Sequence, residues 1–161
     1  MTNAMRYRII ESPVGPLTLA GNDKALTNLH MQNQSHPPKG RDAWVLDEQA
    51  FPEVLDQIDA YFSGELTEFN VTLSLGGTPF QRQVWSTLQS IPFGETVSYG
   101  EVAARIGRPT ASRAVGLANG RNPVAIIVPC HRVVGSTGAL KGYAAGPARK
   151  QRLLDLEQSH R

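Results

Sequence analysis

The apolar pattern of this 161-residue chain changes at Gly76-Gly77, and that change constrains the fold more than any other feature. Before the two glycines, short apolar or alternating runs are separated by turn-forming residues, which is typical of an antiparallel meander. After them, apolar residues recur at helical spacing. We therefore predict an α+β chain, with a small antiparallel-sheet domain over 1–77 and a mainly helical domain over 78–161.

Within the first domain, the strand-like runs are 6–10, 17–20, 25–31 and, by alternation, 69–75. The polar segment 32–42 contains two adjacent prolines and is predicted to be a loop. Apolar residues at helical spacing predict a helix from about Pro52 to Phe62, with the proline in its first turn, where a missing N–H costs little.

The second domain carries clear signals for the start of helices. Thr78 and Gln81 form a predicted capping box with a proline between them. Ser98 and Glu101 form another, which opens a short helix that Gly107 can end. Each signal places a polar side chain where it satisfies a free backbone N–H of the first turn.

A third helix is predicted between a Thr110 cap and Gly120. Two short helices joined by a glycine-containing turn resemble a helix-turn-helix, whose second helix would present Ser112, Arg113 and Asn119. An ordinary helical hairpin is the alternative interpretation.

The formal net charge of +2 hides an uneven distribution. Residues 1–77 carry five Lys and Arg against ten Asp and Glu, a net charge of −5. Residues 78–161 carry eleven Lys and Arg against four Asp and Glu, a net charge of +7. This asymmetry favours a polyanionic partner, with nucleic acid first, over a merely solvated basic face.

Cys130 is the only cysteine, which excludes an internal disulfide and therefore the class of disulfide-stapled secreted scaffolds. We expect a reducing compartment, the cytoplasm. No stretch reaches the roughly 18 consecutive apolar residues of a membrane span, so we expect no membrane partner.

Cys130 follows an apolar run, 124–128, for which we predict a buried extended segment. Such a lone cysteine is often a small buried hydrophobic residue, but Pro129 before it and His131 after it favour a reactive thiol. Reactivity requires the thiolate, and therefore a base. Because neighbouring side chains of an extended segment point to opposite faces, His131 would reach Cys130 only through a turn or a bridging water.

A third group, usually a carboxylate, has to fix the tautomer of such a histidine. The candidates in the second domain are Glu95, Glu101, Asp155 and Glu157. The last two lie on a final helix, opened by Gly146-Pro147, which has to pack back near the cysteine loop. Spacing favours this pair without choosing between its members.

The most specific motif is Pro-Cys-His-Arg-Val-Val at 129–134, with Asn122-Pro123 upstream. Other informative stretches are 93–95, 97–99, 112–116, 142–143 and 153–157, and more weakly 12–17 and 61–64. Together they resemble the methylated-DNA–protein-cysteine methyltransferases, also called O6-alkylguanine-DNA alkyltransferases. The resemblance implies a ribonuclease-H-like fold without nuclease activity for the first domain.

By this resemblance, the chain flips O6-alkylguanine out of duplex DNA and transfers the alkyl group irreversibly to Cys130, once per molecule and without cofactor or metal. His131 would deprotonate Cys130 through a water, and Glu157 would orient His131. Asn122 would brace the turn before the cysteine, and the Tyr99 hydroxyl would stabilise the leaving guanine.

The resemblance also implies a monomer whose helix-turn-helix enters the minor groove; cooperative binding along DNA and the preferred alkyl size stay open. The residues it assigns to base flipping are Arg113, Ser112 and Ala114. Those it assigns to the substrate pocket are Tyr143, Val133 and Ala144, the last replacing a serine found in some relatives. His30 and His36 lack a cysteine partner in the first domain, so we expect surface histidines and no zinc site.

Two other functions compete with this one. A Cys/His hydrolase of the thiol-protease kind would continue after one equivalent of substrate, whereas the transferase would stop. A non-catalytic helix-turn-helix binder of DNA would not need Cys130.

Overall fold

A four-stranded sheet in the order β3-β2-β1-β4 opens the computed structural model, which describes residues 5–140 and 143–161. Its strands are β1 Arg6–Ile10, β2 Leu17–Gly21, β3 Leu26–Met31 and β4 Val45–Leu46. Antiparallel pairing of β1 with β2 and of β2 with β3 confirms the predicted meander, while β4 adds an unpredicted parallel pair beside β1. The motif residues Lys141 and Gly142 lie outside the described residues.

The alternating segment 69–75 is joined to β3 by a bridge between Leu73 and Leu26 rather than by a full ladder. The Leu26 N–H donates to the Thr72 carbonyl at 2.9 Å, and the Ser74 N–H donates to the Leu26 carbonyl at 3.0 Å. Its alternate apolar side chains pack against the core. The alternation therefore marks one face on the core, and the strand prediction is corrected to a bridged extended segment.

The first two helices agree with the sequence. Helix α1, Pro52–Phe62, matches the predicted bounds, and α2, Pro79–Leu88, begins at the predicted capping box. The Gln81 N–H donates to Thr78 Oγ1 at 3.1 Å, and the Thr78 N–H donates to Gln81 Oε1 at 3.0 Å. Both free donors of this helix start are thus satisfied by reciprocal side chains.

Helices α3, Tyr99–Arg105, and α4, Ser112–Gly120, pack against each other and against α2. Ser98 Oγ accepts the Glu101 N–H at 3.1 Å, as predicted, whereas Thr110 does not cap α4. The chain there forms a backbone turn, in which the Ala111 N–H donates to the Arg108 carbonyl at 2.9 Å, so α4 begins without a side-chain cap.

One hydrophobic core joins the two halves of the chain. The short parallel strands β5, Val97–Ser98, and β6, Val133–Val134, lie between the helices, and α5, Pro147–Ser159, closes the structure. Trp85 is buried, and its indole N–H donates to the Ala118 carbonyl at 2.8 Å, which ties α2 to α4. Among the helices of the described ranges, none has the length and apolar character that crossing a membrane requires.

Candidate active site

The chain before Cys130 is buried but not extended, which corrects the prediction for 124–128. Asn122 holds it as a compact turn, since its Nδ2 donates to the Val128 carbonyl at 2.8 Å and its Oδ1 accepts the Val124 N–H at 3.0 Å. Ile126 has a left-handed backbone with φ 72°, a conformation that β-branched residues rarely adopt. Side-chain hydrogen bonds from Asn122 thus hold the turn, and only a single bridge between Val124 and Leu29 of β3 remains of the strand pairing that the apolar run suggested.

Cys130–Arg132 form one turn of 3₁₀ helix, in which successive side chains point about 120° apart. The alternation assumed for Cys130 and His131 therefore does not apply. All three side chains of this turn are buried. The turn, rather than a strand, presents the cysteine and its neighbouring histidine.

His131 and Arg132 converge on Glu157 of α5. His131 Nε2 lies 2.6 Å from Glu157 Oε2, while Arg132 donates from Nε to Oε1 at 2.8 Å and from Nη2 to Oε2 at 3.0 Å. The Gly94 N–H adds a bond to Oε1 at 3.1 Å, and the Tyr61 hydroxyl donates to Oε2 at 2.6 Å. We call these five residues the Glu157 cluster.

The Glu157 cluster holds a fully buried carboxylate in its charged form. Burial opposes that charge, but the hydrogen bonds from His131 and Arg132 and the charge of Arg132 outweigh it and keep the pKa of the Glu157 carboxyl well below its usual range. Because a carboxylate only accepts, the hydrogen of the short His131 contact is on Nε2. Burial also lowers the pKa of His131, which favours the neutral imidazole with its lone pair on Nδ1.

A second set of side chains surrounds the thiol, and we call it the Cys130 group: Cys130, Tyr99, Tyr143 and Lys150. Burial raises the pKa of the Cys130 thiol to about 11, while the Asn122 side chain and the Lys150 ammonium act in the opposite direction. Burial likewise raises the pKa of Tyr99 and Tyr143, and negative charge at Cys130 adds to both shifts. In the described residues, the Tyr143 hydroxyl and His131 Nδ1 are buried without a hydrogen-bond partner.

Lys150 is fully buried, unlike the partly exposed Arg149 and the exposed Arg152 on the same helix. Its ammonium donates to the Val133 carbonyl and lies 5.9 Å from the centre of the Tyr99 ring and 5.8 Å from that of Tyr143. Burial lowers the pKa of Lys150 to about 8. A buried cation thus lies near the cysteine, and its charge favours the thiolate over the thiol.

The structure separates the candidate carboxylates. Glu157 reaches His131, whereas Asp155 is exposed and accepts a hydrogen bond from Gln151. Glu95 is exposed, and Glu101 pairs with Arg105 at 3.0 Å. Packing of α5 against the 3₁₀ turn therefore makes the choice that spacing left open.

The histidines of the first half differ from the expectation. His36 is exposed, but His30 is buried on β3, with its ring beside Trp44, so the surface prediction was wrong for His30. Burial lowers the pKa of His30, which fits a neutral packed ring. In the described ranges, no group of three or more His, Cys, Asp or Glu side chains is placed to hold a metal ion.

The exposed face of α4 carries the residues expected to meet DNA. Ser112, Arg113 and Ala114 are all exposed, and Leu117, one turn further on, is 72% exposed. An open groove of about 640 Å³ lies between the starts of α3 and α4, lined by Tyr99, Arg113 and Leu117 among others. Tyr99 is thus shared by this groove and the Cys130 group.

Three other residues that were expected to face DNA or the substrate already make hydrogen bonds within the protein. Asn119, expected on the presented face of α4, is buried and donates from Nδ2 to the Cys130 carbonyl at 3.2 Å. The Val133 carbonyl is bonded by Lys150, and the half-buried Ala144 accepts the Ser35 N–H at its carbonyl at 2.8 Å. Asn119 therefore supports the 3₁₀ turn instead of facing a ligand.

Sequence reasoning missed the roles of Tyr61 and Lys150. Tyr61 carried a signal, since it falls on the buried face of a predicted helix, where a phenol needs a hydrogen-bond acceptor. Lys150 carried none, because it lies among other basic residues of α5, such as Arg149 and Arg152, that remain at least partly exposed.

Two family descriptions match the chain. Residues 5–75 match the "6-O-methylguanine DNA methyltransferase, ribonuclease-like domain", and residues 79–159 match the "6-O-methylguanine DNA methyltransferase, DNA binding domain". The first match confirms the predicted ribonuclease-like character of the sheet-containing half.

Similar proteins carry the same name. A methylated-DNA–protein-cysteine methyltransferase of Mycobacterium bovis is 59% identical over 155 residues, covering 96% of this chain and 93% of its own. One of Methanosarcina acetivorans is 52% identical, covering 96% and 99%. The crystal structure of Mycobacterium tuberculosis OGT in complex with DNA superposes with a TM-score of 0.92 at 58% identity, covering 96% of this chain and 94% of that one.

The fold, the buried Cys-His-Glu arrangement and these matches agree with the resemblance seen in the sequence. The chain belongs to the methylated-DNA–protein-cysteine methyltransferase family, DNA-binding enzymes that repair DNA by methyl transfer.

Proposed function

We propose that this chain acts once per molecule, flipping O6-alkylguanine out of duplex DNA and transferring its alkyl group to Cys130. One observation carries the proposal: Glu157 Oε2 holds His131 Nε2 at 2.6 Å, and Nδ1, buried and without a hydrogen-bond partner among the described residues, is left to accept a proton. In this proposal, 1–77 is a supporting domain and 78–161 binds DNA and carries the thiol.

The transfer is a single displacement. His131 Nδ1 receives the thiol proton through a bridging water, and the Cys130 sulfur attacks the alkyl carbon. The new S–C bond forms as the O6–C bond breaks, and the electron pair of the broken bond passes to guanine. The Tyr99 hydroxyl donates to the departing base, and the proton taken from the thiol balances the one that guanine finally acquires.

Lys150 and Asn122 reduce the cost of forming a buried thiolate. Both oppose the rise in the pKa of the thiol that burial causes. The Lys150 ammonium is fixed by the Val133 carbonyl, so its charge is already in place before substrate arrives. Such fixed charge supports a thiolate that exists only during the displacement.

The proposal predicts one turnover because the product is a thioether. A thioether sulfur is a poor leaving group in water, and no step of the displacement regenerates the thiol. Each molecule is therefore consumed by one lesion, in contrast to a thiol hydrolase, which would release its acyl group and continue.

The DNA side of the proposal rests on α3, α4 and the groove between them. We propose that α4 enters the minor groove as the second helix of a helix-turn-helix and that exposed Arg113, between Ser112 and Ala114, fills the gap left by the flipped base. Tyr143 would wall the pocket, and backbone groups near Val133 and Ala144 would contact the base edge. The positive charge of 78–161 supports binding to DNA phosphates. We propose that the chain binds as a monomer.

Intact-protein mass spectrometry after incubation with duplex DNA containing O6-methylguanine tests the chemistry. We expect one added methyl group on Cys130, restored guanine in the DNA and no further repair beyond one equivalent. Cys130→Ser is the matched control and should bind the same DNA without gaining mass. An unchanged mass of the unsubstituted chain at equimolar DNA would contradict the proposal.

Arg113→Ala tests base flipping. We expect methyl transfer to slow by about tenfold more than binding to undamaged DNA weakens, because flipping costs a few kcal/mol of unstacking that Arg113 would offset. Arg121→Ala, at the other end of α4, is the control for lost positive charge. Equal losses in transfer and in undamaged binding would remove the flipping role.

A further inference from the structure

Tyr61 brings a polar group from the first half of the chain into the buried site of the second. It lies on α1, is fully buried, and donates from its hydroxyl to Glu157 Oε2 at 2.6 Å. Its ring is held by aromatic neighbours, with Phe62, Phe69 and Phe93 at ring-centre distances of 5.2, 5.4 and 5.9 Å. The hydroxyl is therefore fixed in direction as well as in distance.

Glu157 Oε2 is the oxygen that contacts His131, and it accepts from Tyr61 and Arg132 at the same time. Each donor to Oε2 withdraws charge from the atom that holds the Nε2 hydrogen of His131. Tyr61 remains a donor under all working conditions, since burial and the charge of Glu157 raise its pKa far above the usual range.

We infer that Tyr61 is a positioning residue for alkyl transfer, which holds Glu157 in place and moderates its pull on the proton-accepting histidine. The inference rests on the proposed function, in which His131 is the base. It also gives the first half of the chain an indirect part in the chemistry, which acts through Glu157.

Other charged and titratable groups of the described residues also act on this pair. Arg132 from the 3₁₀ turn and Lys150 from α5 face His131, and Tyr143 lies close enough to Glu157 to be affected by its charge. A Tyr61→Phe substitution leaves every one of them in place and removes a single hydroxyl. The ring stays within its aromatic neighbours, so the change tests the hydrogen bond and not the packing.

The test is the single-turnover rate of methyl transfer from O6-methylguanine duplex, measured across roughly pH 5 to 8 where histidine titrates. Without the Tyr61 proton, Glu157 stabilises the imidazolium of His131 more strongly, so the pKa of His131 rises and the rise in rate with pH moves to higher pH. We also expect the plateau rate to fall about threefold to tenfold, because a carboxylate with fewer donors is held less firmly. Tyr7→Phe on β1 is the matched control and should match the unsubstituted chain.

An unmoved pH profile together with an unchanged plateau would overturn the inference. If the unsubstituted chain itself fails to methylate Cys130, the proposed function has failed instead, so the two failures are distinct. If the circular dichroism signal shows that Tyr61→Phe is unfolded at the working temperature, the same pH profile is measured with a ring-fluorinated tyrosine at position 61. As a stronger donor it should move the profile to lower pH, and an unmoved profile would equally overturn the inference.

Discussion

The Glu157 cluster, which contacts His131 at Nε2, and the Cys130 group around the thiol are built in opposite ways. On the Nε2 side, a carboxylate receives hydrogen bonds from four described neighbours and is saturated. By contrast, His131 Nδ1 and the Tyr143 hydroxyl of the Cys130 group have no hydrogen-bond partner among the described residues. We call the saturated Glu157 cluster the closed side and the Cys130 group, together with His131 Nδ1, the open side.

This contrast shows how one histidine is given a fixed direction. A saturated carboxylate cannot rotate without breaking several bonds at once, so the ring and its tautomer are set before substrate arrives. The unsaturated side carries the cost, since buried polar atoms without partners are unfavourable. We therefore expect stability to depend mainly on the closed side and the proposed alkyl transfer mainly on the open side.

The largest expected effect comes from breaking the closed side. Glu157→Gln leaves the buried Arg132 guanidinium without its counter-charge, and we expect a loss of about 3–5 kcal/mol in the free energy of unfolding. Urea denaturation measures the loss. Asp155→Asn, exposed on the same helix, is the control and should change stability by less than about 0.5 kcal/mol. Equal behaviour of the two variants would refute the contrast.

Acid should reveal the closed side without mutation. Burial lowers the pKa of His131, so below about pH 6.5 this histidine binds a proton more readily in the unfolded chain than in the folded one. The His131 and Arg132 contacts lower the pKa of Glu157, so the same holds for this carboxyl below about pH 4.3. Stability should therefore fall as pH falls through these values, by at most about 1.4 kcal/mol per pH unit for each group. Urea denaturation at successive pH values measures this slope. A free energy of unfolding that stays flat between pH 7 and pH 4 would contradict it.

A substitution on the open side should change the rate of methyl transfer. Lys150→Met keeps the aliphatic stem but removes the ammonium that opposes the rise in the pKa of the Cys130 thiol. We expect methyl transfer near neutral pH to slow by about tenfold, corresponding to about one unit in the pKa of the thiol. Single-turnover kinetics measure the rate, and Arg152→Met, exposed on the same helix, is the control. A rate equal to that of the control would show that Lys150 is only structural.

The smallest effect should come from a site that belongs to neither side. Thr78→Ala removes one half of the α2 capping box and should cost about 1 kcal/mol of stability. Thermal unfolding measures the loss, and the rate of methyl transfer should remain unchanged. A slower transfer would show that the start of α2 affects the rate of methyl transfer, and that the site extends to this helix.

Local rules predicted the parts of the fold that local rules control. The capping box at Thr78 and the apolar spacing of α1 depend on residues a few positions apart, and both were found at the predicted positions. The strand at 69–75 and the extended run at 124–128 failed because both depend on a distant partner. In the second case, β3 pairs with the run only at Val124, and the Asn122 side chain folds the rest of it into a turn.

The candidate site divides in the same way. Cys130 and His131 are visible in the sequence as neighbours, and resemblance selected Glu157 over Asp155 before packing did. Tyr61 and Lys150 were not found, since each reaches the site from an element whose placement only the tertiary structure gives. The residues next to Tyr61 and Lys150 in the sequence do not indicate that either side chain reaches the site.

The free edge of β3 has a further consequence for the first half of the chain. The Leu29 N–H donates to the Pro123 carbonyl, and the Ala125 N–H donates to the Leu29 carbonyl, both at 2.9 Å. The turn that leads to the cysteine therefore also seals the outermost strand of the sheet. Produced alone, 1–77 would keep the bridge at Leu26 but would expose the Leu29 end of that strand, and we expect this end to pair with its own copies and aggregate.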